Sequence, residues 1–167
     1  VYTHILVAFD GSDHAAFALD RAIQIAKQDG AEVLVYHAIK HSFRTAKRIP
    51  FLFLPGDQSN QYDPLAIDQE AENQIYESHK KVAEKILDKA QKILDDAGVK
   101  GKTELVENIG PVDAAKELTE SRGIDLVIVG AKGIHGAVER VLLGSVSTGI
   151  VNHVCCDILI IRTACSA

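Results

Sequence analysis

The feature that most constrains this chain is the alternation of short, wholly apolar runs with longer stretches whose apolar residues recur at helical spacing. Neither face of an apolar run is polar, which is typical of strands that are covered on both sides of a sheet. Such strands, alternating with helices, form parallel sheets through right-handed crossovers. The pattern predicts a Rossmann-like α/β fold: a single-domain, open, five-stranded parallel sheet with helices on both faces. The runs are residues 4–9, 32–39, 124–129 and 158–161, with a shorter strand at 103–106.

The stretches between these runs carry the start and stop signals of helices. Ser12 can cap a helix whose apolar pattern begins at Ala15, and Gly30 ends that pattern. Pro111 opens another helix and Gly123 closes it. The predicted helices cover residues 15–29, 65–97, 111–122 and 145–153.

The length of the chain indicates one domain. It has 167 residues, and domains typically run to about 100–200 residues. No internal repeat or linker divides it, so we predict a single domain over residues 1–167 with an irregular insertion at 40–64. Prolines on both sides of the apolar run 51–54 exclude a regular helix there. We expect the insertion to pack on another part of the protein, and part of it to be mobile without ligand and to become ordered over the site or against a dimer partner when ligand binds. The alternative is that the apolar run only covers the long predicted helix.

Charge and cysteine content exclude several function classes. The formal net charge is −5, and the basic residues are scattered apart from a small group at 44–48, which argues against a nucleic-acid partner. No apolar stretch approaches the ~20 residues that span a bilayer, and no leader pattern is present, so we expect a cytoplasmic protein without a membrane partner. Cys155, Cys156 and Cys165 lack the spacing of a zinc site or a disulfide framework.

The strongest local signal for a ligand follows the fourth predicted strand. Gly130 and Gly133 are separated by two residues, and a further ten residues separate Gly133 from Gly144-Ser145-Val146-Ser147. Ligands of open α/β sheets bind beyond the carboxyl ends of the strands. The second run opens a helix, whose unpaired amides and dipole attract anions, and the hydroxyls of Ser145 and Ser147 add donors. This arrangement predicts a phosphate cradle; the alternative is a loop whose glycines only make turns.

In these residues the chain resembles the universal stress protein family, whose signature is Gly-x2-Gly-x9-Gly-Ser/Thr. The spacing here has one extra residue, placed around 134–136. The resemblance extends to the first strand and turn (7–12), the second strand (35–38) and the start of the third helix (109–111), and it covers almost the whole chain. A second departure is Cys155-Cys156-Asp157, where the family usually has prolines. The first departure affects the phosphate geometry, whereas the second lies away from the site.

The resemblance implies an adenine nucleotide alpha-hydrolase-like fold that binds ATP or AMP, with Mg²⁺ accompanying ATP. It places Asp10 near the adenine and ribose, where the carboxylate can face the metal, and it places Ala38 and Val129 along the adenine. It also implies a stress-response regulator without catalytic residues, which acts through its bound state, forms a homodimer through the last strand and is read by a downstream protein partner. Ribose and phosphates would be held by Gly130, Lys132, Gly133, Gly144, Ser145, Val146 and Ser147.

The alternative function is a slow ATPase or an ATP-using enzyme of the same fold. The chain has no Gly-Lys-Ser/Thr of a P-loop, and Asp10-Gly11-Ser12-Asp13 is not the Ser-Gly-Gly phosphate loop of the related ATP-pyrophosphatases. A receiver domain phosphorylated on aspartate is excluded because the third strand ends in Glu107-Asn108. The intact glycine loop argues against a purely structural dimerisation module.

Individual residues also have purely structural interpretations. Asp10 can serve only to cap the first turn, and Lys132 can be a solvated loop charge. His37 lies inside an apolar strand and is better explained as a hydrogen-bonded core histidine, while His135 is better explained as a surface residue. The sequence leaves these interpretations open for Asp10 and Lys132.

Overall fold

The computed structural model describes residues 1–40, 69–132 and 143–162. Within these ranges strands and helices alternate in the order that the apolar pattern predicts. The elements are β1 (His4–Ala8), α1 (Asp13–Asp29), β2 (Glu32–Ile39), α2 (Gln69–Ala97), β3 (Gly101–Glu107), α3 (Pro111–Arg122), β4 (Leu126–Gly130), α4 (Ser145–His153) and β5 (Asp157–Ile161). The predicted insertion at 40–64 lies outside the described residues except for Lys40, as do Gly133, His135 and Cys165.

The five strands form one parallel sheet in the order β3-β2-β1-β4-β5. The chain moves outward from β1 to β3 and then crosses back to β4 on the other side of β1. The strand order therefore reverses between β1 and β4, and ligand crevices of open sheets form at such a reversal, beyond the carboxyl ends of the strands. We name the end of the sheet at which the strands finish the carboxyl edge, and the opposite end the amino edge.

Each face of the sheet has its own hydrophobic core. On one face Ile5 and Val7 of β1 pack with buried residues of α1 and α2. On the other face Leu6 of β1 packs with buried residues of α3 and α4. Successive side chains of a strand point to opposite faces, so a strand that is covered on both sides is apolar at every position. This explains the continuous apolar runs in the sequence.

The strand β3 is longer than the sequence predicts. The prediction covers 103–106, whereas the strand runs from Gly101 to Glu107. It lies at the edge of the sheet, and each of its residues is half-buried or exposed. Polar residues such as Lys102 and Glu104 are therefore accommodated, and the apolar signal of this strand is weak.

The helices end where the sequence signals indicate. Gly30 takes the left-handed conformation (φ 74°), and its N–H donates to the Ala26 carbonyl oxygen at 2.8 Å. The helix α2 ends at Ala97, and its predicted first residues 65–68 lie outside the described ranges. Among the helices in the described ranges, none is both long and apolar enough to cross a membrane.

Candidate functional site

The carboxyl edge between β1 and β4 brings the first predicted site residues together. Ala8, the last residue of β1, is in register with Val129 of β4. Asp10 follows β1, and its carboxylate oxygen Oδ1 accepts the Ser12 N–H at 2.9 Å. The turn-capping contact that the sequence allows for Asp10 is therefore present. Gly130 ends β4 on the other side of the crevice.

Small apolar side chains form a floor at this edge, on the face of the sheet that α3 and α4 cover. Ala8, Ala38 and Val129 lie toward the carboxyl ends of three neighbouring strands, and all three belong to the core of that face. Val129 is buried, whereas Ala8 and Ala38 are half-buried. Val146, from the first turn of α4, joins the same cluster and is also half-buried. The floor is apolar and partly open, which suits an aromatic ring better than a charged group.

The two ends of the glycine loop are fastened to each other. The Gly144 N–H donates to the Ala131 carbonyl oxygen at 2.7 Å. The Ser147 hydroxyl lies 3.1 Å from the same oxygen and 3.0 Å from the Gly144 carbonyl oxygen. Ala131 is itself anchored, since its N–H donates to the Ile161 carbonyl oxygen at 2.7 Å. Ser147 is only 1% exposed, so its hydroxyl serves to close the loop; its contact with a phosphate stays a prediction.

The first turn of α4 has no side-chain cap among the described residues. Its N-cap is Gly144, and the first helical bond runs from the Thr148 N–H to the Gly144 carbonyl oxygen at 3.0 Å. The amides of Ser145 and Val146 precede that bond and have no acceptor within the helix. Ser145 is exposed. These amides and the positive end of the helix dipole can together hold an anion.

Packing against α1 requires a glycine at position 130. A β-carbon on Gly130 would lie 2.8 Å from both the carbonyl carbon and the Cβ of His14, in the first turn of α1. The sequence assigns Gly130 to ribose and phosphates; the structure adds this steric reason, and its contact with the ligand stays a prediction. His14 is a residue that the sequence does not single out. Its Nδ1 is buried and has no hydrogen-bond partner within the described ranges.

Two charged residues complete the predicted ligand set. Lys132 is half-buried at the start of the glycine loop, and Asp10 is the carboxylate predicted to face Mg²⁺. Within the described part of the chain, no three metal-ligating side chains come together. Magnesium is commonly held by one or two carboxylates together with phosphate oxygens and water. Asp10 therefore fits a metal that arrives with a nucleotide better than a site formed by protein side chains alone.

Two neighbouring residues of β2 support the carboxyl edge. Tyr36 is 1% exposed, and its hydroxyl donates to the Pro111 carbonyl oxygen at 2.7 Å, which fixes the start of α3. Burial raises the pKa of the Tyr36 hydroxyl, so it stays a donor. His37 is half-buried, and its Nδ1 lies 2.7 Å from the Phe9 carbonyl oxygen. The predicted hydrogen bond of His37 is confirmed, but the predicted core position is not, since His37 is half-buried and belongs to neither hydrophobic core.

The end of β3 is tied to α2 by two side chains. Glu107 accepts a hydrogen bond from the Lys80 ammonium at 2.8 Å and another from the Tyr76 hydroxyl at 2.6 Å. These bonds, that of Lys80 first, lower the pKa of the Glu107 carboxyl. The position at which a receiver domain would carry its phosphorylated aspartate is thus occupied by a carboxylate that fastens α2 to the sheet.

Comparison with known sequences gives one consistent family. The model of the Universal stress protein family matches residues 2–162. A protein of Staphylococcus aureus (strain USA300) that carries the universal stress protein name is 31% identical over 163 residues, which cover 97% of this chain and 85% of that protein. The match therefore extends over almost the whole chain.

Solved structures of universal stress proteins share the observed fold. The universal stress protein UspA of Lactobacillus plantarum superposes with a TM-score of 0.73 at 23% identity, over 96% of this chain and 98% of that chain. A universal stress protein solved in complex with cAMP superposes with a TM-score of 0.61 at 27% identity, over 98% of each chain. The predicted single-sheet α/β fold is confirmed.

Proposed function

The chain belongs to the universal stress protein family, and we propose that it is a stress-response regulator that binds an adenine nucleotide, ATP or AMP. The nucleotide occupies the crevice between β1 and β4, with its base on the apolar floor and its phosphates at the start of α4. The protein acts through this bound state and through dimerisation, and a downstream protein reads it. We also propose that residues 1–167 form one domain, in which 40–64 is an insertion.

The observation that carries this proposal is the bare start of α4. At the neighbouring start of α1, the Ser12 Oγ accepts the Ala15 N–H at 3.2 Å. At α4 the N-cap is Gly144, and no side chain of the described ranges accepts from the first turn. Backbone donors that lose water need another acceptor, and an anion at the helix start supplies one. The apolar floor beside them favours an anion joined to an aromatic ring, which a nucleotide provides.

The cAMP complex of a relative supports the adenine class of ligand. That relative is 27% identical to this chain over 98% of its length. The predicted base contacts, Ala38 and Val129, are both apolar, so they fit the faces of a purine and leave its edges to polar groups. A cyclic nucleotide therefore belongs in the test beside ATP and AMP.

Magnesium has a role in this proposal only together with ATP. Asp10 would join the ligand set through its carboxylate, whose Oδ1 also accepts the Ser12 N–H. The ion would neutralise part of the phosphate charge. Under this proposal AMP binds equally well with and without magnesium, whereas ATP binds more tightly with it.

The homodimer is proposed to form through β5. This strand lies at the edge of the sheet and pairs with β4 alone within the described sheet. Residues 158–161 are apolar and half-buried on both faces, and exposed apolar edges are usually covered. Analytical ultracentrifugation should show a dimer for the parent protein and a monomer for Ile160→Lys. A monomeric parent protein, or a variant that stays dimeric, would count against this interface.

The deciding experiment identifies the nucleotide. Mild acid releases any copurified ligand, and mass spectrometry distinguishes ATP, AMP and cAMP. Calorimetry then measures the affinity of the emptied protein for each of them, and we expect at least one to bind with a micromolar or lower Kd. A protein that carries no nucleotide and shows no binding heat with any of the three contradicts the proposal. Steady phosphate release over many turnovers would favour the ATPase alternative.

A further inference from the structure

A second concave site lies at the amino edge of the sheet, at the opposite end of the strands from the nucleotide crevice. It is a cavity of about 330 Å³, and small-molecule sites begin near 300 Å³. The starts of β1, β2 and β3 and the end of α3 line it. None of its lining residues belongs to the proposed nucleotide site, so the two sites are independent.

The cavity combines an apolar floor with a charged rim. Leu34 and Ile124 line it and are only 6% and 7% exposed, so they supply the floor. Lys100, Lys102 and Arg122 supply three permanent positive charges at the rim. A cavity of this composition favours a ligand that has both an apolar body and a negative charge.

Two of these three cations already have carboxylate partners. Lys100 pairs with Glu32, and Arg122 donates to Glu104 at 3.2 Å. Lys102 is exposed and forms no ion pair with any residue of the described ranges. The rim therefore has one cation in excess of the pairs that the protein makes itself, and Lys102 is that cation.

The electrostatic environment of the rim stabilises negative charge. The pKa of the Glu32 carboxyl lies below its usual value, most of all because Lys100 donates to it, and further because of the charges on Lys100, His4 and Lys102. The carboxylate of Asp125 does not line the cavity, and it accepts the N–H groups of Thr3 and His4. A single additional carboxylate is therefore attracted to this place.

We propose that the amino-edge cavity binds a small organic monoanion, a carboxylate whose apolar body rests on Leu34 and Ile124 and whose charge meets Lys102. An inorganic anion would leave the apolar floor uncovered, and a neutral apolar molecule would leave Lys102 without a partner. A multiply charged anion would carry more negative charge than Lys102 can neutralise. The single unpaired lysine thus selects both the sign and the number of charges.

Naphthoate tests this proposal, because it joins one carboxylate to an apolar ring system. In spectra of the isotope-labelled full chain, naphthoate should shift the amide signals of Val33, Leu34, Gly101 and Lys102. Neutral naphthamide and inorganic phosphate at the same concentration should shift them much less. Lys102→Gln should weaken naphthoate binding about two- to five-fold, the effect expected from the loss of one exposed charge pair.

Lys116→Gln is the matched control, since it removes the same charge from the exposed surface of α3, outside the cavity. Its affinity for naphthoate should equal that of the parent protein. The proposal is overturned if naphthoate up to about 10 mM leaves the amino-edge amides unchanged, or if naphthamide binds as tightly. Equal weakening by Lys116→Gln and Lys102→Gln, or an unchanged Lys102→Gln, would overturn it as well.

Discussion

At the amino edge of the sheet protein carboxylates accept the backbone N–H groups, whereas at the carboxyl edge the first amides of α4 have no acceptor among the described residues. Asp125 accepts the N–H of Thr3 at 2.8 Å and that of His4 at 3.0 Å. Asp29 accepts the N–H of Tyr2 at 2.9 Å. Backbone N–H donors need acceptors at either edge. At the amino edge the protein supplies them, whereas at the start of α4 the ligand is proposed to supply them.

The contrast is sharpest between α1 and the two helices α3 and α4, all of which begin at the carboxyl edge. Ser12 caps α1 with its own hydroxyl, but α3 and α4 begin at Gly110 and Gly144 without a side-chain cap. At α1 a serine provides the acceptor, whereas at α4, where the phosphates are proposed to bind, Gly144 leaves the first amides for the ligand. Gly110 also leaves α3 without a side-chain cap, but no ligand is proposed there, so α3 serves as the control. The following substitutions add or remove hydrogen-bond acceptors, or change the packing, at one of the two edges.

The largest effect is expected when a carboxylate, the acceptor found at the amino edge, is introduced at the start of α4. In Gly144→Asp, the new side chain can accept the first amides of the helix and repel phosphate. We expect ATP to bind at least about 100-fold more weakly. The melting temperature should be unchanged or raised, because aspartate caps a helix at least as well as glycine. Calorimetry and thermal unfolding measure the two effects separately.

Gly110→Asp is the control for this substitution. It adds the same charge at the N-cap of α3, another helix that begins at a glycine without a side-chain cap. Binding should fall far less than in Gly144→Asp, since the charge then lies at the start of a helix to which the proposal assigns no phosphate. If Gly144→Asp bound ATP like the parent protein, the phosphates would not lie at the start of α4.

A smaller effect is expected from the tight packing on the α1 side of the crevice. Gly130→Ala places a methyl group 2.8 Å from the carbonyl carbon of His14, and overpacking of this kind costs about 1–3 kcal/mol of unfolding free energy. In Gly110→Ala the nearest atom, Oδ2 of Asp113, would be 3.6 Å away, so this control should unfold close to the parent protein. Urea titration compares the two variants, and equal midpoints would show that β4 and α1 can separate at little cost.

The sequence predicts the features that depend on local contacts and not those that depend on long-range contacts. The bounds of α3 and α4 agree with the prediction because Pro111 and Gly144 act on the helices that they start. The prediction is too short at β3. Lys102 belongs to this strand because it pairs in register with Leu34 of β2, although no apolar run marks it in the sequence. Local signals therefore yielded the element order, and tertiary pairing decided the length of the edge strand.

The site residues divide in the same way. The bare first turn of α4 follows directly from Gly144. The bonds of the Ser147 hydroxyl to Ala131 and the contact of Gly130 with His14 join residues far apart in the chain. The spacing of residues in the sequence does not indicate such contacts. The sequence therefore predicts Ser147 and Gly130 only as phosphate ligands, and it does not predict their roles in closing the loop and in packing against α1.

The next substitution removes the side-chain cap of α1, whereas Gly144→Asp adds one to α4. Ser12→Ala removes the acceptor of the Ala15 N–H, and the loss of a serine N-cap costs about 1 kcal/mol. ATP affinity should stay within about two-fold of the parent value, because this cap is proposed to serve stability alone. A large loss of ATP binding with an unchanged melting temperature would show that α1 also supplies ligand contacts.

The smallest effect is expected at the amino edge, where the Asp125 carboxylate accepts two backbone N–H groups and acid should protonate it. Burial raises the pKa of the Asp125 carboxyl, but the hydrogen bonds from Thr3 and His4 outweigh burial and hold that pKa below its usual value. A carboxyl with a lowered folded-state pKa contributes its full stabilisation above its unfolded pKa of about 3.9 and loses it as the pH falls through the folded value.

Asp125→Asn should therefore lower the unfolding free energy by about 0.5 kcal/mol at pH 7, a modest value because Asp125 is only half-buried and the asparagine amide oxygen can still accept a hydrogen bond. Below about pH 4 the difference between variant and parent should shrink toward zero. Asp20→Asn, which changes an exposed aspartate of α1, controls for the change in net charge and should match the parent protein at both pH values. Urea midpoints at pH 7 and in acid give the comparison. A difference that persists unchanged in acid would mean that the side chain packs at this edge without serving as a charged acceptor, and the contrast between the two edges would then rest on Asp29 alone.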